Sequence, residues 1–180
     1  MTLVELQLVS PNIRLDVRYA TSDNFTGRAV YSSSRVFLVD QTANRLHRVQ
    51  QALEKQGLGL KIFDGYRPLS VQKIFCSLVS NSCYVADPSK GSMHNRGTAV
   101  DVTLVNEIGE NLPMPTPFDE FTEKAHRCYR GCSPEEMFNR DLLEKFMKSE
   151  GFTPYPEEWW HFDDTDWESY PLLDVPFEVL

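Results

Sequence analysis

The chain is 180 residues long, enough for one ordinary domain spanning residues 1–180 and too short for two large ones. With 41% hydrophobic and 24% charged residues it has globular composition, which excludes a disordered or fibrous protein. Twenty-six acids against 18 bases give a net charge of −8, which argues against a nucleic-acid partner or an anionic membrane surface, because phosphate binding needs a basic footprint. Composition leaves the oligomeric state open.

The first residues show no basic segment, long apolar core or small-residue cleavage site, so no signal peptide is visible. No apolar run approaches the ~18 residues of a membrane helix. A cytoplasmic protein without a membrane partner is the expectation.

Residues 3–19 alternate loosely through Val4, Leu6, Leu8, Ile13, Leu15, Val17 and Tyr19, which predicts extended pieces broken at Ser10-Pro11. The polar stretch 21–34 reads as a loop. Asp40 is placed to cap a helix whose apolar positions are Ala43, Leu46, Val49 and Leu53, with Gly57 able to end it. Leu58–Phe63 reads as a short strand leading into Asp64-Gly65-Tyr66-Arg67, and Pro68 suits the first turn of another helix through Ile74 and Leu78. Residues 80–97 are loop-like, and 98–105 alternate as a strand with Ala99, Asp101 and Thr103 on one face.

Pro113, Pro115 and Pro117 exclude regular structure around them. Ser133-Pro134-Glu135-Glu136 is a capping box with proline at the first helical position. The helix it opens is predicted to bury Phe138, Leu142, Phe146 and Met147 and to end near Gly151. Residues 159–162 read as a final strand. The acidic stretch 163–180 carries no Lys or Arg but interleaves Trp167, Tyr170, Leu172, Leu173, Val175 and Phe177, so a packed terminus is expected rather than a disordered tail. Helices and strands mix without regular alternation, which favours an α+β class with a mainly antiparallel central sheet flanked by helices.

Cys76, Cys83, Cys128 and Cys132 form no CxxC pair and match no common zinc ribbon. Reduced, partly buried thiols are expected. A structural zinc on Cys128 and Cys132 near His126 is the lesser alternative.

Two of the four histidines sit in company suited to chemistry. His94 ends a loop that leads into the strand carrying Asp101, and His161 follows Glu157 and Glu158. Two imidazoles and one carboxylate are a hydrolytic zinc set that leaves a fourth position to water, and a nearby glutamate can then take the proton. Each residue also has a plain structural reading: Asp101 pairing at an edge, His94 facing solvent, His161 satisfied in the core. Asp64 and Tyr66 read as orienting or structural, Trp159 and Trp160 as packing, and His47 as surface.

The string Ser92-x-His94-x-x-Gly97-x-Ala99-x-Asp101 with Glu158-Trp159-Trp160-His161 downstream resembles the zinc D-alanyl-D-alanine dipeptidases of the VanX type. Arg18-Tyr19-Ala20-Thr21-x-Asp23-Asn24-Phe25-Thr26-Gly27, Asp64-Gly65-Tyr66-Arg67-Pro68 and Pro117-Phe118-Asp119 resemble that family in the same order, so the likeness runs from residue 18 to 162. Related D-Ala-D-Ala carboxypeptidases and the hedgehog zinc domain share only the core pattern.

The resemblance implies a hedgehog/D-Ala-D-Ala peptidase-like fold and a Zn2+ ion held by His94, Asp101 and His161. It further implies Glu158 as catalytic base, Arg67 as the oxyanion partner, and Tyr19, Ser92 and Asp119 as residues that hold the ends of a D-Ala-D-Ala substrate. In a regular strand, residues three apart face opposite sides, so Glu158 and His161 diverge whereas Glu157 and His161 share a face. Either a local irregularity re-aims Glu158 or Glu157 is the base. The resemblance favours Glu158. The alternatives to a dipeptidase are a D,D- or L,D-carboxypeptidase acting on cell-wall peptides and a non-catalytic zinc domain.

Overall fold

A computed structural model describes residues 2–78 and 89–180 of the chain. Cys83 lies outside the described residues. The first elements are β1 (Leu3–Glu5), α1 (Leu6–Val9), β2 (Arg14–Leu15), β3 (Phe37–Val39), α2 (Asp40–Glu54), β4 (Leu58–Asp64) and α3 (Leu69–Leu78). They are followed by β5 (Ala99–Asn106), α4 (Pro134–Ser149), β6 (Phe152–Pro154) and β7 (His161–Asp164). β1 and β3 form a small antiparallel pair. The main sheet runs β2-β4-β5-β7-β6, with β2 parallel to β4 and every other neighbouring pair antiparallel. This is the expected α+β arrangement with a mostly antiparallel sheet.

β5 is the central strand. Every residue from Ala99 to Val105 is buried, so both of its faces are covered, which explains a nearly continuous run of Ala, Val and Leu. α2 packs against β4 through Ala43, Leu46, Val49 and Leu53, all fully buried at the predicted helical spacing. Asp40 does not cap this helix: the cap position is Val39 with no side-chain bond, and Asp40 is the first helical residue, where a negative charge suits the helix dipole. Gly57 follows at φ +70°, a turn that favours glycine.

Three other expectations are corrected. Leu6–Val9 is a short helix rather than an extended piece; its Leu6 is fully buried, so the turn delivers that side chain to the core. α4 has the expected capping box, with Ser133 and Glu136 bonded reciprocally. Of the predicted stripe, Met147 is buried and Leu142 and Phe146 are half-buried against the core, but Phe138 is 65% exposed, and the other buried positions are Asn139, Arg140 and Leu143. The polar members are buried because loops reach over them: Asn139 Nδ2 donates to the Pro113 carbonyl at 2.9 Å and Arg140 Nη1 to that of Tyr129 at 2.8 Å. The last strand is His161–Asp164, and residues 159–160 belong to the turn before it.

The acidic terminus is packed as expected. Phe177 is buried against Tyr31 and Tyr66, the Leu173 N–H donates to the Asn95 carbonyl at 2.8 Å, and the Val175 N–H donates to the Tyr66 hydroxyl at 2.7 Å. His47 is half-buried rather than surface, with Nδ1 3.0 Å from the Ser10 hydroxyl.

Candidate active site

Two local structures and one strand register bring the site together. Ser92 caps a single 3-10 turn, Met93–Arg96, in a reciprocal box with Asn95, and Gly97 closes it at φ +71°. The Asn95 amide also donates to the Arg67 carbonyl at 2.8 Å, so the turn carrying His94 is tied to the loop carrying Arg67. In the sheet, Asp101 of β5 pairs directly with His161 of β7.

His94 Nε2, an Asp101 oxygen and His161 Nδ1 lie within 4.8 Å of one another. The two nitrogens are 3.2 Å apart, His94 Nε2 is 3.4 Å from Asp101 Oδ2, and His161 Nδ1 is 3.0 Å from Asp101 Oδ1, so each imidazole faces its own oxygen of the carboxylate. Ligand atoms ~2.0–2.1 Å from one tetrahedral centre stand ~3.3 Å apart, so the distances suit zinc. The outer nitrogens agree. His94 Nδ1 faces the Gly65 carbonyl at 2.7 Å and His161 Nε2 faces Asp163 Oδ1 at 2.9 Å. Both partners can only accept, so each outer nitrogen donates to its partner and each inner one is the atom turned toward the place a metal would take.

Burial opposes the charge of Asp101, but the His94 and His161 imidazoles outweigh it and hold the carboxyl below the usual carboxylate range. Burial likewise opposes the His161 imidazolium, yet Asp163 and Asp101 raise its pKa well above the ordinary value. The residues present fit a zinc ion.

Glu158 stands at the same point. The segment before β7 is a turn, with the His161 N–H reaching the Glu158 carbonyl at 3.4 Å, and this turn brings Glu158 Oε2 to 3.8 Å from His161 Nδ1. The alternation that separated these residues does not apply outside a strand. Glu158 is buried and borders the cavity; Glu157 is half-buried and does not. Burial, with Asp101 adding to it and His161 opposing, pushes the Glu158 carboxyl up to about 8. The Trp160 side chain hydrogen-bonds this carboxylate and borders the cavity, so Trp160 is more than packing. Trp159 is packing, with its indole donating to the Thr116 hydroxyl at 2.9 Å.

Arg67 is held on several sides. Nε and Nη2 donate to Asp64 Oδ2 at 3.1 and 2.7 Å, and Nη1 donates to Gln72 Oε1 at 2.8 Å. The guanidinium lies over the Phe75 ring at 4.7 Å. Asp64 sits at a register shift between β4 and β5, an irregularity of the kind that re-aims a side chain beside a site. Tyr66 braces the C-terminal segment instead.

Across the cavity, the Tyr19 hydroxyl donates to Asp119 Oδ1 at 3.0 Å. Among the described residues Asp119 Oδ2 is buried without a hydrogen-bond partner, and the residue sits at φ +63°, a strained conformation for a residue with a Cβ. Burial and then the charge of Asp101 raise its pKa well above the ordinary value. The cavity is about 180 Å³, with Phe25, Phe75 and Phe121 among its apolar lining and Ser92 also bordering it.

All eight residues singled out from the sequence border this one cavity. Sequence reasoning missed Asp163, which had been assigned to the acidic terminus although it lies two residues after His161 on the same face of a strand. The Gly65 carbonyl has no sequence signal at all. Cys76, Cys128 and Cys132 form no disulfide, and His94, Asp101 and His161 are the one metal-ligating group found among the described residues.

The family model described as D-Ala-D-Ala dipeptidase, peptidase M15, matches residues 1–177. The D-alanyl-D-alanine dipeptidase of Escherichia coli (strain K12) is 37% identical over 175 residues, covering 97% of this chain and 91% of that protein. The enzyme of the same name from Enterococcus faecium is 36% identical over 188 residues, covering 93% of each. Among solved structures, VanYB in complex with D-alanine-D-alanine shares the fold, with a TM-score of 0.51 at 16% identity over 77% of each chain. The chain is a peptidase and belongs to the M15 family of D-Ala-D-Ala dipeptidases.

Proposed function

We propose that the protein is a zinc-dependent dipeptidase that hydrolyses D-Ala-D-Ala to two D-alanines. The observation that carries this reading is the convergence of His94 Nε2, Asp101 and His161 Nδ1 beside Glu158 in one small cavity. A zinc ion on those three residues supplies the positive charge that acidifies water and polarises the scissile carbonyl.

The chain's own residues do the rest. Glu158 takes a proton on its carboxylate as attack begins and passes it to the leaving amine; its buried position, which favours the protonated form, lets it hold the proton between the two steps. Arg67, fixed by Asp64 and Gln72, offers a guanidinium that needs no reorganisation as the oxyanion develops. Asp119, with one oxygen on Tyr19 and one unpartnered, takes the α-ammonium, while Tyr19 and Ser92 help hold the ends of the dipeptide. The cavity of about 180 Å³ falls below the ~300 Å³ at which drug-sized sites begin, so it suits a dipeptide with methyl side chains.

The test is release of D-alanine from D-Ala-D-Ala with and without a chelator, beside N-acetyl-D-Ala-D-Ala. Chelator-sensitive cleavage of the free dipeptide alone is the expected result. Cleavage of the acetylated compound moves the reading to a carboxypeptidase, and no cleavage of either by zinc-loaded protein moves it to a binding domain. Glu158→Ala is expected to keep its zinc and lose roughly 10²–10⁴-fold in kcat. Full turnover in that variant with an inactive Glu157→Ala would reassign the base.

A further inference from the structure

Asp163 is the one carboxylate bordering the cavity to which neither the family motifs nor the mechanism gives work. It lies on β7 two residues after His161, so the two side chains share a face of the strand. The strand is pinned on both sides at this position, since Asp163 pairs with Ala99 of β5 and with Thr153 of β6. Its Oδ1 is 2.9 Å from His161 Nε2, and its side chain is only 17% exposed.

His161 turns its Nδ1 to the ligating triangle, while His94 turns its Nε2 there. An imidazole whose outer nitrogen had no acceptor could tautomerise or rotate and lose the inner lone pair. The backbone fixes His94, because its outer nitrogen meets the Gly65 carbonyl. Among the described residues, the outer nitrogen of His161 meets only a side chain, that of Asp163.

We propose that Asp163 is the positioning residue of the metal centre: it holds the proton on His161 Nε2, and so commits Nδ1 to zinc and sets the affinity of the site. The inference rests on the zinc reading above and goes beyond it by assigning a fourth side chain to metal retention. Acceptors behind ligating histidines typically account for ~10–100-fold in metal affinity. The asymmetry between the two histidines has a consequence for variation. The acceptor behind His94 is main chain and cannot be removed by a change of side chain, although a Cβ at position 65 would stand 2.7 Å from Val36 Cγ1 and force a shift; the acceptor behind His161 can be lost by one substitution.

The experiment measures the zinc dissociation constant of the full chain by competition with a chromophoric chelator, for the native protein, Asp163→Ala and Asp163→Asn. The thermal midpoint of each metal-free protein is recorded beside it. Asparagine keeps an oxygen that can accept from Nε2 and alanine does not, so the pair separates positioning from bulk. The expected result is that Asp163→Ala weakens zinc ~10–100-fold and Asp163→Asn distinctly less, with the metal-free midpoint of the asparagine variant unchanged. Weakening of less than about threefold in Asp163→Ala, or an asparagine variant no better than the alanine one, overturns the assignment while leaving the zinc reading intact. A native protein that fails to bind zinc overturns both.

Discussion

Asp64 and Asp119 are two carboxylates beside one cavity, and their surroundings are opposite. Asp64 is fully buried with both oxygens engaged: Oδ1 accepts from the Tyr31 hydroxyl at 2.8 Å and the Gly65 N–H at 2.9 Å, and Oδ2 takes two bonds from Arg67. Asp119 has one bond, from Tyr19, and an oxygen with none. A saturated carboxylate can only orient its partners. A buried carboxylate with an open oxygen is stable only because the fold overrides its desolvation, and it gains most when a cation arrives. One acid therefore orients its neighbours, and the other keeps an oxygen open, which is why the proposed function gives it the ammonium.

The sharpest way to break this contrast is Asp64→Ala, which leaves Arg67 buried without its counter-charge. A loss of ~3–5 kcal/mol in a denaturant melt is expected, together with loss of turnover. Near-native stability would show that Arg67 does not depend on Asp64.

Asp119→Asn is expected to do the reverse. The loss of a desolvated charge pair with an α-ammonium is set at ~2–5 kcal/mol, so kcat/KM for the free dipeptide should fall roughly 30- to 5,000-fold. The fold should hold, because asparagine tolerates the left-handed backbone found at position 119. The metal-free variant should also gain on the native protein as pH rises. Burial raises the folded pKa of Asp119 above its unfolded value, so the native chain keeps that stability below ~pH 3.9 and loses it as the pH climbs toward the folded pKa. A stability difference that stays flat with pH would remove Asp119 from the strained set.

The smallest effect belongs to Tyr19→Phe, which deprives Asp119 of its one donor. A cost of about 1.5 kcal/mol, or tenfold in kcat/KM, is expected, with the pH dependence of stability steeper than in the native protein. An unchanged rate would leave the tyrosine as packing.

Much of this architecture was legible because it is local. The spacing of Ala43, Leu46, Val49 and Leu53, the box from Ser133 to Glu136 and the run of buried residues around Asp101 each carry their own signal. The misreadings came where partners distant in sequence decide. Trp159 and Trp160 have strand-forming side chains, yet pairing with β5 starts β7 only at His161, where Asp101 is opposite. Phe138 fits a helical apolar stripe, yet the loops carrying Pro113 and Tyr129 choose Asn139 and Arg140 for burial. The same holds in the site. Its motif-borne residues could be named from the sequence, whereas the carbonyl behind His94 and the carboxylate behind His161 become visible only once the sheet is assembled.

The packed C-terminal segment has a consequence in time. Leu173 binds the Asn95 carbonyl, Asp174 accepts from the Ser70 N–H, Val175 binds Tyr66, and Arg96 donates to the Tyr170 carbonyl, so residues 170–175 brace both the turn of His94 and the loop of Arg67. These residues leave the ribosome after every residue that borders the cavity. A nascent chain that already holds every residue bordering the cavity still lacks the brace on the turn of His94 and the loop of Arg67, so the cavity takes its final shape only when residues 170–175 fold back against it.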